Sequence, residues 1–131
     1  MILAEPRLDA RHSLGMDGEA AAARVLQRSG LHILERRYRR RMGEIDLIAR
    51  QGELVVFVEV KTRRKRSHGN PGAAVNRNKQ RRMARVALSY LARRGWMGRP
   101  CRFDVVEVVA EVGGRLDVRH IADAFRLWPT G

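Results

Sequence analysis

Asp46, Glu59 and Lys61 lie within the segment GEIDLIARQGELVVFVEVKTR, from Gly43 to Arg63. All three sit inside runs of apolar residues, where a charge is costly to bury unless it is paired or holds a metal ion. Carboxylates are natural ligands for hard divalent cations such as Mg2+ or Mn2+. Such an ion polarises a phosphoryl oxygen and activates water, and a nearby cation stabilises the charge that develops when a phosphodiester is attacked. Asp46 and Glu59 would supply the carboxylates and Lys61 the cation.

The choice of lysine at position 61 supports this. The chain holds 24 arginines and three lysines, Lys61, Lys65 and Lys79. Positive charge is therefore ordinarily supplied by arginine, whereas lysine offers a compact ammonium that responds to desolvation.

These residues must be positioned by elements that the patterning predicts. A first helix is expected from Leu14 to Ser29, with Ser13 as N-cap, Gly30 as stop and a stripe of Ala22, Ala23 and Leu26 headed by Glu19. Leu31 to Tyr38, Glu44 to Arg50 and Leu54 to Thr62 read as strands, the last apolar on both faces and so central. Opposed residues of an antiparallel hairpin share a face, so Asp46 joins Glu59 only if paired residue numbers sum to an odd value. A two-residue turn at Gln51-Gly52 satisfies this and sets Asp46 opposite Phe57, one diagonal step from Glu59.

A polar, Gly/Pro-broken loop from Arg63 to Ala74 follows. Asn76 is placed to cap a second helix that ends at Arg94 before Gly95. Its expected buried stripe is Met83, Ala84, Ala87, Leu88 and Leu91, extended by Gln80, with Arg77, Arg81 and Arg85 on the other flank. Arg102 to Glu111 and Leu116 to Ile121 form a hairpin around Gly113-Gly114, with a short helix expected near Asp123. The fold class is α/β: a mixed sheet flanked by helices in the order αβββαββ. Residues 1–13 read as a loose extension and 14–131 as one domain, the size that a single core supports.

The formal net charge is +13 and the sequence pI about 11.5, which points to a polyanionic partner, most simply nucleic acid. From Arg36 to Arg102 there are 20 Lys or Arg and only four acids, Glu44, Asp46, Glu53 and Glu59. Three basic clusters suit phosphate tracking: Arg39, Arg40 and Arg41; Arg63, Arg64, Lys65 and Arg66; and Arg77, Lys79 and Arg81. The scarce aromatics, Trp96 and Trp128 among them, form no base-stacking platform, and His68 in the loop reads as incidental. Cys101 is the sole cysteine, the histidines lack zinc-ligand spacing, and no segment is apolar enough to cross a membrane. With an N-terminal stretch too short and acidic for a signal peptide, a reducing, cytoplasmic setting without membrane attachment is expected.

The pattern D-x12-E-x-K across a hairpin, with a helix glutamate upstream, resembles the PD-(D/E)XK nuclease superfamily. GEIDLIA followed by VFVEVKTR looks more narrowly like the YraN-type family of uncharacterised bacterial proteins, and is similar to archaeal Holliday junction resolvases. The YraN resemblance covers Leu14 to Leu127 and includes KQRR, RFDVV and DAFRL. It implies a restriction-endonuclease-like fold in which Asp46, Glu59 and the Val60 carbonyl hold the metal and Lys61 positions or activates water. Glu19 matches a helix-borne acid used around the metal, and Gln80 a glutamine placed beside the site. Ile45 stands where the superfamily name has proline, and Glu44 is an accessory acid at the rim.

The expected activity is structure-selective hydrolysis of DNA phosphodiester bonds with Mg2+ or Mn2+. Two strands to cut favour a homodimer. The rivals are a nucleic-acid-binding module that keeps the nuclease fold without turnover, and a basic assembly or ribosome-associated adaptor.

Overall fold

The computed structural model describes residues 10–64 and 75–126. Residues 1–9, the loop with Lys65, Arg66 and His68, and the terminus with Trp128 lie outside them. The elements run α1 (Ala10–Arg28), β1 (His32–Arg40), β2 (Gly43–Gln51), β3 (Leu54–Arg63), α2 (Arg77–Arg94), β4 (Cys101–Ala110) and β5 (Leu116–Phe125). The five strands form one sheet in the order β1-β2-β3-β4-β5, antiparallel except where β3 pairs in parallel with β4. This parallel step requires a crossover, which α2 supplies.

One helix packs on each face of the sheet. On one side Met83, Val86, Ala87, Tyr90 and Leu91 of α2 cover Ile48, Val55, Phe57 and Phe103. On the other, Ala22, Ala23 and Leu26 of α1 cover Leu47, Ala49, Val56, Val58, Val106 and Val108. β3 is the middle strand, and Val55 to Val58 are buried on alternating faces, as its doubly apolar pattern predicts. Asn76 caps α2 by accepting from the Lys79 N–H at 2.9 Å, and Gly95 ends the helix at φ 70°.

Several details differ from the sequence-based expectation. α1 starts at Ala10, so Ser13 lies within the helix; Ala and Arg are good helix formers and extend it past the expected cap. The buried stripe of α2 uses Val86 and Tyr90, while Leu88 is exposed and Ala84 only half-buried. The helix is rotated so that Val86 and Tyr90 face the sheet, and Tyr90 makes edge contacts with Tyr38, Phe57 and Trp96.

The β2–β3 turn is Gly52-Glu53, not Gln51-Gly52, because Gln51 pairs with Leu54. Gly52 takes φ 60° at the first central position, the requirement of a type II′ hairpin. The odd-sum condition still holds, but Ile48 rather than Asp46 opposes Phe57. Among the described residues no helix forms near Asp123, since β5 continues to Phe125. Asp123 takes φ 54°, its N–H donates to Asp104, and Phe125 stacks on Phe103.

Candidate metal and phosphate site

β1 ends, β2 begins and β3 ends at the same end of the sheet, and α2 starts there after the crossover loop. The topology therefore gathers Arg39–Arg41, Arg63–Arg64 and the first turns of α2 around one rim. Arg39, Arg41, Arg64, Arg77 and Arg81 are exposed. Arg40 lies over the Tyr38 ring at 4.3 Å, and Arg63 Nε is 3.6 Å from Glu107 Oε2.

Within this basic rim the β2–β3 ladder stops at Leu47 and Val58, and continuation of the register sets Asp46 beside Glu59. Asp46 Oδ2 accepts from the backbone N–H of Val60 at 2.8 Å, and the Glu59 carboxyl is close enough to act on Asp46 electrostatically. Burial first, then the neighbouring Glu59 carboxyl, push Asp46 up to about 8, against the opposing effect of the Val60 N–H. Glu59 is buried, and its Oε2 faces Lys61 Nζ at 3.6 Å and also pairs with Lys79 Nζ.

The backbone departs from regular alternation at this point. Ile45 packs under α2 while Leu47 packs under α1, although residues two apart on a regular strand share a face. Arg37, opposite Asp46 in the β1–β2 run, takes φ 51°. Asp46 therefore sits at a local twist of the ladder, at the mouth between the two helical layers.

Glu19 comes close by a packing device. A Cβ at Gly18 would meet Thr62 Oγ1 at 2.4 Å, so only glycine lets α1 settle this near β3. Glu19 Oε1 accepts from Arg37 Nε at 2.9 Å; this hydrogen bond and then the Glu19 charge raise the Arg37 pKa, and the charge is also felt at Asp46. The direct contact of Glu19 is thus with Arg37. Gln80 Nε2 donates to the Val75 carbonyl at 2.7 Å. Glu44 stays on the rim, paired with Arg39 at 2.8 Å. Val60 meets Asp46 through its N–H. Lys79, one of the cations expected on phosphate, pairs with Glu59.

The donor set suits a hard divalent cation. Two neighbouring carboxyls, one with its proton affinity raised by the other and by burial, are the arrangement whose repulsion such an ion relieves. No cluster of three His, Cys, Asp or Glu side chains that could hold a metal ion exists among the described residues. The chain would thus leave most coordination positions to water and phosphate oxygens, as Mg2+ prefers.

A second buried acid lies in β4. Asp104 is fully buried and accepts from Arg102 Nε at 2.9 Å and from the Asp123 N–H at 2.9 Å, and its Oδ2 is 2.7 Å from His120 Nε2. Burial alone would raise its pKa, but these hydrogen bonds outweigh burial and hold it below the ordinary value. Glu107, also fully buried, is in register with Lys61. The signal for both was legible: Asp104 and Glu107 interrupt an apolar run as Asp46 and Glu59 do. Arg37 and Lys79 carried no such signal, because one depends on a backbone twist and the other on helix placement.

Comparison with known proteins agrees on one family. Residues 18–108 match the uncharacterised protein family UPF0102. A UPF0102 protein of Symbiobacterium thermophilum is 57% identical over 112 residues, covering 86% of this chain and 95% of that protein. One from Alkaliphilus metalliredigens is 45% identical over 113 residues, covering 86% and 97%. Another, from Geotalea uraniireducens, is 44% identical over 123 residues, covering 94% and 96%. The chain belongs to the uncharacterised protein family UPF0102, the YraN family.

Proposed function

We propose that the protein is a metal-dependent nuclease of the PD-(D/E)XK type, hydrolysing phosphodiester bonds of DNA and selecting structure rather than sequence. The observation that carries this reading is the juxtaposition of half-buried Asp46 and buried Glu59, with Lys61 beside them, inside a basic rim. Asp46 and Glu59 would hold Mg2+ or Mn2+, which when bound polarises the phosphoryl oxygen and lowers the pKa of water.

The protein's own residues divide the remaining work. The Val60 N–H fixes the orientation of Asp46. Lys61 supplies positive charge next to Glu59, where the attacked phosphate would gain negative charge. Glu19, anchored by Arg37, adds negative potential at Asp46 from the α1 side. The exposed arginines of the rim would hold the phosphate backbone, which positions a duplex without reading bases.

A second reading, a nucleic-acid-binding module without turnover, draws on a specific observation. Lys61 and Lys79 together balance the charge of Glu59 through protein contacts alone.

End-labelled duplex, single strand, flap, fork and four-way junction separate the two readings. Mg2+- or Mn2+-dependent cuts that disappear with EDTA, in Asp46→Ala and in Lys61→Ala support the nuclease. Equal binding of all substrates by wild type and both variants, with no cutting, supports the module.

A further inference from the structure

Two lysines from different elements meet on one atom. Lys61 of β3 lies 3.6 Å from Glu59 Oε2, and Lys79 from the first turn of α2 pairs with the same oxygen. In a chain with 24 arginines and three lysines, two of the three converge on one buried carboxylate. Where charge alone is required the chain uses arginine, so the use of lysine here calls for a property that arginine lacks. A guanidinium grips a carboxylate through a planar two-point fork, whereas an ammonium holds it as a single mobile point charge.

The surroundings of Lys79 give that mobility. The Glu59 side chain is 3% exposed, but that of Lys79 is 34% exposed and reaches the acid from the solvent side. Its backbone is fixed by the Asn76 cap, which leaves the four-carbon stem as the moving part. A divalent ion bound to Asp46 and Glu59 would need the Glu59 carboxylate, and two cations competing for one oxygen repel each other.

We propose that Lys79 is an exchangeable counter-cation of the site: it pairs with Glu59 in the metal-free protein and yields that oxygen to the divalent ion. The inference rests on Asp46 and Glu59 being the metal ligands. It makes Lys79 a positioning residue that sets metal affinity, distinct in role from Lys61.

The test is Mn2+ binding by calorimetry and by electron paramagnetic resonance, without nucleic acid, for wild type, Lys79→Gln, Lys79→Arg and Glu59→Gln. Loss of the site in Glu59→Gln is expected, with Mn2+ held about tenfold tighter by Lys79→Gln and more weakly by Lys79→Arg. Unchanged or weakened binding in Lys79→Gln, with loss in Glu59→Gln, overturns the exchange and leaves the metal site standing. Absence of Glu59-dependent binding in both wild type and Lys79→Gln overturns both.

Wild-type protein gives an independent measurement. With 15N-lysine labelling only three side-chain ammonium signals arise, and Mg2+ is expected to convert that of Lys79 from a paired to a free, rapidly exchanging one. A Lys79 signal that stays paired while Mg2+ saturates the site overturns the proposal.

Discussion

The backbone N–H of Val60 donates to Asp46 Oδ2 at 2.8 Å, just past the last ladder pair of Leu47 and Val58. A side-chain carboxylate thus takes over from the backbone carbonyl that a regular ladder would have offered. Asp46 is held in one orientation by its support of the strand pair. Asp46→Ala should destabilise the fold by about 1–2 kcal/mol in urea unfolding, because the Val60 N–H loses its acceptor. Asp46→Asn retains an acceptor oxygen and should keep most of that stability. Both variants should lose metal-dependent cleavage by about a hundredfold or more if the site works as proposed. Equal destabilisation by Asn and Ala would contradict the structural half of the prediction.

Asp46 also predicts how stability depends on pH without metal. Its folded pKa is raised to about 8, chiefly by burial and then by Glu59. A raised carboxyl stabilises the fold while protonated, in full below its unfolded value, and loses that contribution as pH rises through the folded value. Asparagine cannot ionise. In EDTA, Asp46→Asn should therefore gain on wild type as pH climbs from 6 to 9, by on the order of 2 kcal/mol. Thermal melts across that range would reveal it, and parallel curves would refute it.

Asp104 titrates with the opposite sign. Its hydrogen bonds with His120, Arg102 and the Asp123 N–H overcome burial and lower its pKa. Its stabilisation is present above the unfolded value and is lost as pH falls through the folded one, so it fades in acid, below about pH 4. Asp104→Asn should cost about 2–4 kcal/mol at pH 7. Its deficit should shrink as wild type is taken into acid, a convergence that urea midpoints at pH 7 and pH 3 would measure.

Gly18 offers a steric prediction. In Gly18→Ala the new Cβ would lie 2.4 Å from Thr62 Oγ1 and 3.2 Å from Thr62 Cγ2. Alanine in a helix interior normally stabilises by up to about 1 kcal/mol, but here overpacking should reverse the sign and cost about 1–3 kcal/mol. Gly18→Ala combined with Thr62→Ala removes both clashing atoms and should recover most of the loss. A double mutant as weak as the single one would show that the close approach of α1 to β3 is set elsewhere.

Much of this architecture was legible in the sequence because local patterns and tertiary demands agree. Val55 and Phe57 alternate with Val56 and Val58, and β3 is indeed covered on both faces. Asn76 and Gly95 mark both ends of α2 because capping chemistry is local. Acids inside apolar runs mark Asp46 and Glu59 as unusual, and hairpin parity sets them on one face. Parity could not give the register, since moving the turn by one residue at each side preserves it. The φ reversal at Arg37, the change of face between Ile45 and Leu47, and the reach of Lys79 to Glu59 depend on non-local packing. Leu88 lost its expected core place to Tyr90, which shows that helical period alone leaves the rotation of a helix open by a residue or two.

β1 closes one side of the sheet, and its outer flank meets no further strand among the described residues. A nine-residue edge of this kind is a template on which another chain can add by backbone pairing. Arg36, Arg37, Arg39 and Arg40 set four charges along it, and the irregularities at Ile33/Glu35 and at Arg37 break its flatness. The arginines at the end of β1 would thus act as gatekeepers against aggregation whatever they bind. Neutralising them to weaken nucleic-acid binding would also unmask a sticky margin, and the resulting assemblies would mimic a loss of affinity.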